Sequence, residues 1–163
     1  MKERMVMVVM HPRDRVREAL CERTCDLARY LDHIEHAELK SRETTVKGFV
    51  RCVHVWRARA NVPSVLAHHL DPGLLEWTGR TEWRPDEYES HWVVEPRSMK
   101  DTVLCEGIMR FSPAIGGRGT RVELELEIVG VQGPAGFRTI TSAILSTHFR
   151  KLVDAATRLI GEG

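Results

Sequence analysis

One histidine lies where it could take part in chemistry inside the protein. Cys52, His54 and Trp56 recur at every second position of a strand-like segment, which places their side chains on one face of a β-strand. On a buried face, His54 could act as an acid or base near a ligand carbonyl and so assist an aldol-type cyclisation or a dehydration. It could instead be a structural histidine bonded to a backbone carbonyl, which is the commoner situation for a buried histidine.

A metal site is not predicted. His68, His69 and Asp71 form a short cluster of possible ligands. Adjacent residues of a helix point about 100° apart, however, and no third ligand can be assigned.

No cofactor is predicted either. Gly116-Gly117-Arg118-Gly119 lacks the Lys-Ser/Thr pair of a phosphate-binding loop and joins two predicted strands instead of leading into a helix. A Ser-His-Asp arrangement cannot be assembled, because Ser142 and Ser146 fall on the predicted outer face of the last helix.

A hairpin contributes most of the aromatic residues. Its turn is predicted at Arg84-Pro85-Asp86-Glu87, because proline suits the second position of a type I turn, and Trp83 would then pair with Tyr88. The alternation places the aromatic side chains on one face, which must be the buried one, and His91 on the other. The aromatic positions are Trp77, Trp83, Tyr88 and Trp92.

The inward-facing side chains are predicted to form a concave, mostly apolar wall with a few polar atoms. Such walls suit ligands that have a large nonpolar body and one or two hydrogen-bonding groups. The alternative is that these side chains fill the interior completely. The candidate ligand-binding residues are Val50, Cys52, His54, Trp56, Trp77, Trp83, Tyr88, Trp92, Cys105, Met109, Phe111, Leu124, Leu126 and Ile144.

The last third of the chain predicts a strand and a long helix. Apolar residues alternate with Glu123, Glu125 and Glu127, which is the period of a strand with one buried face. From residue 139 to 160 the apolar positions instead follow a helical period. A helix of that length measures roughly 33 Å at about 1.5 Å per residue, so it can lie across a whole sheet.

The earlier elements complete the predicted order. Hydrophobic periodicity and the residues that interrupt helices and strands indicate a strand over residues 4–10, helices over 13–22 and 26–32, and a strand from residue 36 onward. Further strands are predicted over residues 46–60, across the hairpin and over residues 102–112. Residues 62–73 interrupt this series, and whether they act as a lid stays open.

This order resembles the helix-grip fold of the START and Bet v 1-like (SRPBCC) superfamily, which includes polyketide cyclases, aromatase-type proteins and lipid-transfer domains. Residues 11–20 (HPRDRVREAL) are similar to its first helix, and residues 107–111 (GIMRF) with 119–122 (GTRV) to its last hairpin. The resemblance implies an α+β fold over residues 1–163 as one domain. A curved antiparallel sheet of about six to seven strands would wrap around a long C-terminal helix, with two short helices after strand one.

The resemblance also implies a cavity for a hydrophobic ligand, but no particular reaction. One hypothesis is a binding protein for a lipid, sterol, quinone or polyketide-like molecule. The alternative is a cyclase or dehydratase that shapes a reactive chain in the same cavity, with His54 or Tyr88 supplying a proton.

Composition narrows the class of partner. The chain has 24 Lys and Arg against 23 Asp and Glu and no basic run, so no nucleic-acid partner is expected. Its longest apolar run, residues 5–10, is far shorter than the ~20 residues of a membrane span, so no stable membrane insertion is expected. No secretory signal is recognised, and the four cysteines form no C-x-x-C pair, so we expect reduced thiols in a cytoplasmic monomer or homodimer.

Overall fold

Seven strands form one antiparallel sheet. The computed structural model describes residues 2–59, 76–97, 105–129 and 137–162, and for residues 137–141 and 144 it describes the backbone alone. The strand order across the sheet is β1-β7-β6-β5-β4-β3-β2. The strands are β1 (Lys2–Val9), β2 (Ile34–Thr44), β3 (Val50–Ala58), β4 (Glu76–Arg84), β5 (Glu89–Pro96), β6 (Cys105–Ala114) and β7 (Gly119–Ile128).

The first and last helices lie where the sequence predicts them, whereas the second begins and ends two residues earlier than predicted and is only partly α-helical. Helix α1 (Arg13–Cys21) follows Pro12, whose carbonyl accepts hydrogen bonds from the amides of Arg15 and Val16. A short helix α2 (Thr24–Leu27) and a 3-10 turn (Ala28–Tyr30) lead to β2, and α3 (Phe137–Glu162) is the long C-terminal helix. This is the helix-grip architecture predicted above, with two short helices after strand one.

The core lies between α3 and the inner face of the sheet. On β7, buried apolar side chains alternate with glutamates, as predicted. The stripe that α3 turns toward them is also buried, and α1 packs against the same helix. The buried residues of that stripe include Leu145, Phe149, Val153, Ala156 and Leu159.

Two serines of α3 do not lie on its outer face, contrary to prediction. Ser142 is buried and donates a hydrogen bond to the carboxylate of Glu3, and Ser146 donates a second one at 2.8 Å. Glu3 shares the inner face of β1 with apolar residues, so its carboxylate meets the helix surface. The two hydroxyl groups lower the pKa of Glu3.

The register of the aromatic hairpin differs from the prediction by two residues. Trp83 lies opposite Ser90, because the connection is a 3-10 turn (Pro85–Glu87) followed by Tyr88 in the left-handed conformation, at φ 50°. A shift of two preserves the alternation, so the tryptophans keep their predicted inner face.

Tyr88 is the exception, because it lies at the hairpin tip, partly buried against the core, and lines neither of the spaces described below. Its hydroxyl donates to Asp14 at 2.6 Å, and the guanidinium carbon of Arg13 lies 3.4 Å from the centre of its ring. The tyrosine therefore fastens the hairpin tip to the start of α1.

Paired charges cover the outer face of the sheet. Arg51 and Glu82 are cross-strand partners with a 2.9 Å ion pair. His91 is also on this face, as predicted, and contacts Glu89 at 3.0 Å. Cross-strand pairs of this kind contribute roughly 0.2–1 kcal/mol each, so they support the register more than the total stability.

One glycine determines where an indole ring lies. A Cβ on Gly107 would collide with the carbonyl oxygen of Glu125 and with the ring of Trp92. Gly79 also faces inward, but a Cβ there would lie 3.5 Å from Nε1 of Trp56, an ordinary contact distance.

These two glycines should respond differently to the same substitution. Gly107→Ala is expected to lower the free energy of unfolding by about 1–3 kcal/mol, because the added methyl group overpacks against backbone that cannot move freely. Gly79→Ala is the matched control and should be neutral or stabilising by about 0.4–1 kcal/mol, since it restricts the unfolded chain. Urea unfolding of both variants measures the difference, and equal effects would contradict the packing described here.

Candidate functional site

A cavity of about 70 Å³ lies between the inner face of the sheet and α3. We call it the inner cavity. Its walls are rich in aromatic rings, and they come from strands β3 to β6 and from helices α1, α2 and α3. The aromatic lining residues are Trp56, Trp77, Trp83, Trp92 and Phe149.

A second space of about 170 Å³ lies between helices α1 and α2 and strands β2 and β3. We call it the outer cavity, and its lining includes Cys21, Cys25 and Cys52. Thr24 and His54 line both spaces, so these two side chains lie between them. At about 170 and 70 Å³ the two spaces together approach the lower end of the usual range for ligand sites, which is about 300 Å³.

The predicted wall residues divide into three groups. Those that line the inner cavity are His54, Trp56, Trp77, Trp83, Trp92 and Met109, and Cys52 lines the outer cavity. Those that pack in the core are Cys105, Phe111, Leu124 and Leu126, with Val50 packed against it. Tyr88 is at the hairpin tip, whereas the side chain of Ile144 and residues 62–73, including His68, His69 and Asp71, lie outside the described residues.

Two buried polar atoms of the inner cavity find no hydrogen-bond partner among the described residues. They are Oγ1 of Thr81 and Nε1 of Trp92. The two residues are directly opposite each other on β4 and β5, and the indole of Trp92 extends over Gly107 of β6. A buried polar group without a partner costs about 1–3 kcal/mol, so each of these two atoms would be stabilised by a ligand that forms a hydrogen bond with it.

His54 is buried and uncharged at neutral pH. Burial lowers its pKa, and its ring centre lies 6.4 Å from that of Trp56. A neutral imidazole can donate from one nitrogen and accept at the other. Its assignment as a catalytic base or acid stays a prediction.

A buried pair of histidines, His33 and His148, was not predicted from the sequence. Nε2 of His33 and Nδ1 of His148 are 2.9 Å apart, and the ring of His148 meets those of Trp56 and Trp77 edge to face. Burial lowers the pKa of His148 to about 3, with a smaller contribution from His33. Because His148 follows Leu145 by three residues, the helical period does place its side chain on the core side of α3. His33 follows a 3-10 turn and gives no such signal.

A wider depression of about 760 Å³ lies on the outer face of the sheet. Arginine and glutamate side chains such as Arg51, Arg80 and Glu82 line much of it, and several are paired with each other. Such a charged, open surface does not suit an apolar ligand, so the inner cavity remains the candidate site.

The four cysteines are free thiols. Burial raises the pKa of Cys21 and of Cys105 to about 12, so both are protonated at neutral pH and are poor nucleophiles. The described residues contain no group of three or more side chains that could hold a metal ion. Within the same part of the chain, no helix has both the length and the apolar character needed to cross a membrane.

The buried histidines should make stability depend on pH. The pKa of His148 falls from 6.5 to about 3 on folding, so the unfolded chain takes up a proton below pH 6.5 while the folded protein does not. Stability is therefore complete above that pH and is lost as the pH falls, by about 2 kcal/mol between about pH 7 and pH 5 from His148 alone. Burial lowers the pKa of His33 and of His54 as well, which adds to the loss.

Urea unfolding across that pH range measures the effect. His148→Gln should reduce the slope by close to one proton, whereas His36→Gln, on an exposed position of β2, should not. An unchanged slope in His148→Gln would show that His148 is not buried in its neutral form.

Comparison with protein-family models found no match to this sequence, and comparison with curated proteins found none either. Solved structures do match. The chain is similar over 98% of its length to TTHA0849 from Thermus thermophilus, with a TM-score of 0.71, 19% identity and 97% of that chain covered.

Two further structures give the same result. The Zhui aromatase/cyclase from Streptomyces sp. R1128 matches 99% of this chain with a TM-score of 0.70 and 14% identity, and 93% of that chain is covered. Ara h 8.0201 matches 100% of this chain with a TM-score of 0.71 and 8% identity, and 99% of that chain is covered. At these identities the likeness concerns the fold, and the chain adopts the helix-grip fold that these proteins share.

Proposed function

We propose that the protein binds a small hydrophobic molecule, with at least one hydrogen-bond acceptor, in the space between the sheet and α3. The observation that carries the proposal is the pair of unpartnered polar atoms, Thr81 Oγ1 and Trp92 Nε1, in a cavity rich in aromatic rings. A ligand carbonyl can accept a hydrogen bond from either group, which would offset the cost of burying it.

The aromatic walls favour a flat ligand. Trp56 and Trp77 are stacked within 9° of parallel, and the rings of Trp92 and Phe149 lie 4.4 Å apart between their centres. Aromatic rings gain about 0.5–1.5 kcal/mol from stacked or edge-to-face contacts beyond the burial of their area. A ligand ring in the inner cavity would make contacts of both kinds.

Size limits the ligand. The inner cavity of about 70 Å³ accommodates one ring or a few water molecules, and a longer ligand would extend past His54 and Thr24 into the outer cavity. One structural neighbour is an aromatase/cyclase, and the shared fold supports a small-molecule site in this chain. We place this binding in the cytoplasm, because four free thiols are typical of a reducing compartment.

Removing the unpartnered groups should separate stability from binding. Thr81→Val should leave the free energy of unfolding unchanged or raise it by up to about 1–3 kcal/mol, because it deletes an unsatisfied polar atom and keeps the side-chain shape. Trp92→Phe also deletes such an atom, but it removes part of a buried ring and should lower the free energy of unfolding. Each should weaken binding of acetophenone by about 0.5–1.5 kcal/mol, and in Thr81→Val the binding of ethylbenzene, which has no acceptor, should not change.

Calorimetric titration measures both affinities, and urea unfolding measures the stability. Thr78→Val, on the outer face of the same strand, is the matched control. The proposal fails if the wild type binds neither compound, or if both variants bind the ketone as the wild type does.

The alternative function, a cyclase or dehydratase, is supported by His54. This histidine is neutral, lies between the two cavities and could take a proton from a carbon next to a carbonyl. The cyclisation would join that carbon to a second carbonyl carbon and then lose water.

A simple diketone tests this alternative. 2,6-Heptanedione can close to 3-methylcyclohex-2-enone with loss of one water, and the conjugated product is followed by its absorbance. For a carrier, neither the wild type nor His54→Gln should accelerate the reaction. Acceleration by the wild type that falls by about 10²–10⁴ in His54→Gln, with binding within several-fold, would establish an enzyme.

A further inference from the structure

The proposed function leaves His33 and His148 without a role. Their 2.9 Å contact joins Nε2 of His33 to Nδ1 of His148, so one of these two nitrogens carries a proton and the other accepts it. Burial lowers the pKa of both rings, so each carries a single ring proton at neutral pH. The arrangement of those two protons determines whether Nε2 of His148 donates a hydrogen bond to a ligand or accepts one.

Asp32 favours one arrangement of the two protons. Its Oδ1 lies 3.8 Å from Nδ1 of His33, and that nitrogen is buried with no hydrogen-bond partner among the described residues. A carboxylate favours a proton on the nitrogen that faces it and disfavours a lone pair there. Lys151, 2.9 Å from the same oxygen, keeps Asp32 ionised by lowering its pKa.

The proton on Nδ1 of His33 fixes the second ring. Because His33 is neutral, its Nε2 then holds a lone pair and accepts the hydrogen bond from Nδ1–H of His148. His148 is neutral too, so its own Nε2 is left with a lone pair.

His148 lines the inner cavity, where Trp56 and Trp77 surround it. It is only 6% exposed, so a hydrogen bond made there meets little competition from water. The same cavity holds the donors Thr81 and Trp92. The site therefore combines these donors with an acceptor on His148.

We infer that His148 accepts a hydrogen bond from a ligand hydroxyl, and that the cavity selects aromatic phenols or enols that also carry a carbonyl group. The inference rests on the proposed function and extends it to a ligand class. His33 and Asp32 act as positioning residues, because they hold His148 in the tautomer that accepts.

Nitrogen NMR tests the tautomer without any ligand. In ¹⁵N-labelled wild-type protein at neutral pH, the ring of His148 should carry its proton on Nδ1. Asp32→Ala should move part of the His148 population to the Nε2–H form, whereas Asp26→Ala, an exposed acid on α2, should not. A wild-type ring protonated on Nε2, or a population insensitive to Asp32, would overturn the inference.

A matched ligand pair tests the selection. Wild-type protein should bind 4-hydroxyacetophenone more tightly than 4-methoxyacetophenone by roughly 2- to 10-fold, the range for one net hydrogen bond. His148→Phe should abolish this preference and still bind acetophenone. Asp32→Ala should reduce the preference with the fold intact, which keeps the test valid if His148→Phe does not fold.

The two proposals fail differently. If the wild type binds acetophenone but shows no preference for the hydroxyl compound, the inference about His148 is wrong and the ligand cavity stands. If the wild type binds none of the three ketones, both proposals fail.

Discussion

The structure depends on how a seven-stranded sheet buries its inner face against one long helix. A helix about 10 Å wide cannot cover every inward side chain of such a sheet, so large aromatic residues fill the remaining depth. Trp92 is the clearest case, because its indole lies against the bare backbone of Gly107. Rigid rings packed around a single helix leave small spaces between them, and the inner cavity is one of these spaces.

Periodicity predicted the fold well, because burial of one sheet face imposes strict alternation. In β7 the apolar and acidic residues alternate without a break, and the structure has the predicted faces. The hairpin register could not be predicted to the residue, because the left-handed Tyr88 adds length to the turn. Ser142 was assigned to the wrong face, because its partner Glu3 lies 139 positions away and nothing in the helix itself indicates that contact.

The candidate site, like the fold, could be predicted from the sequence only in part. Inward positions on single strands were readable, so six of the predicted side chains line the inner cavity: His54, Trp56, Trp77, Trp83, Trp92 and Met109. Its polar character depends on contacts between distant segments, and His33 and His148 are 115 residues apart. Unpartnered atoms such as Thr81 Oγ1 are defined by what surrounds them, so no sequence pattern reveals them.

The two outermost strands of the sheet differ in a way that bears on self-association. Along β2 most side chains are exposed and many are charged, which discourages another strand from pairing with it. Along β1 the outward positions include Val6 and Val8, which are 46% and 56% exposed. Pairing of copies through sheet edges would therefore use β1 on both sides, and such a contact closes as a two-fold dimer instead of growing into a fibre.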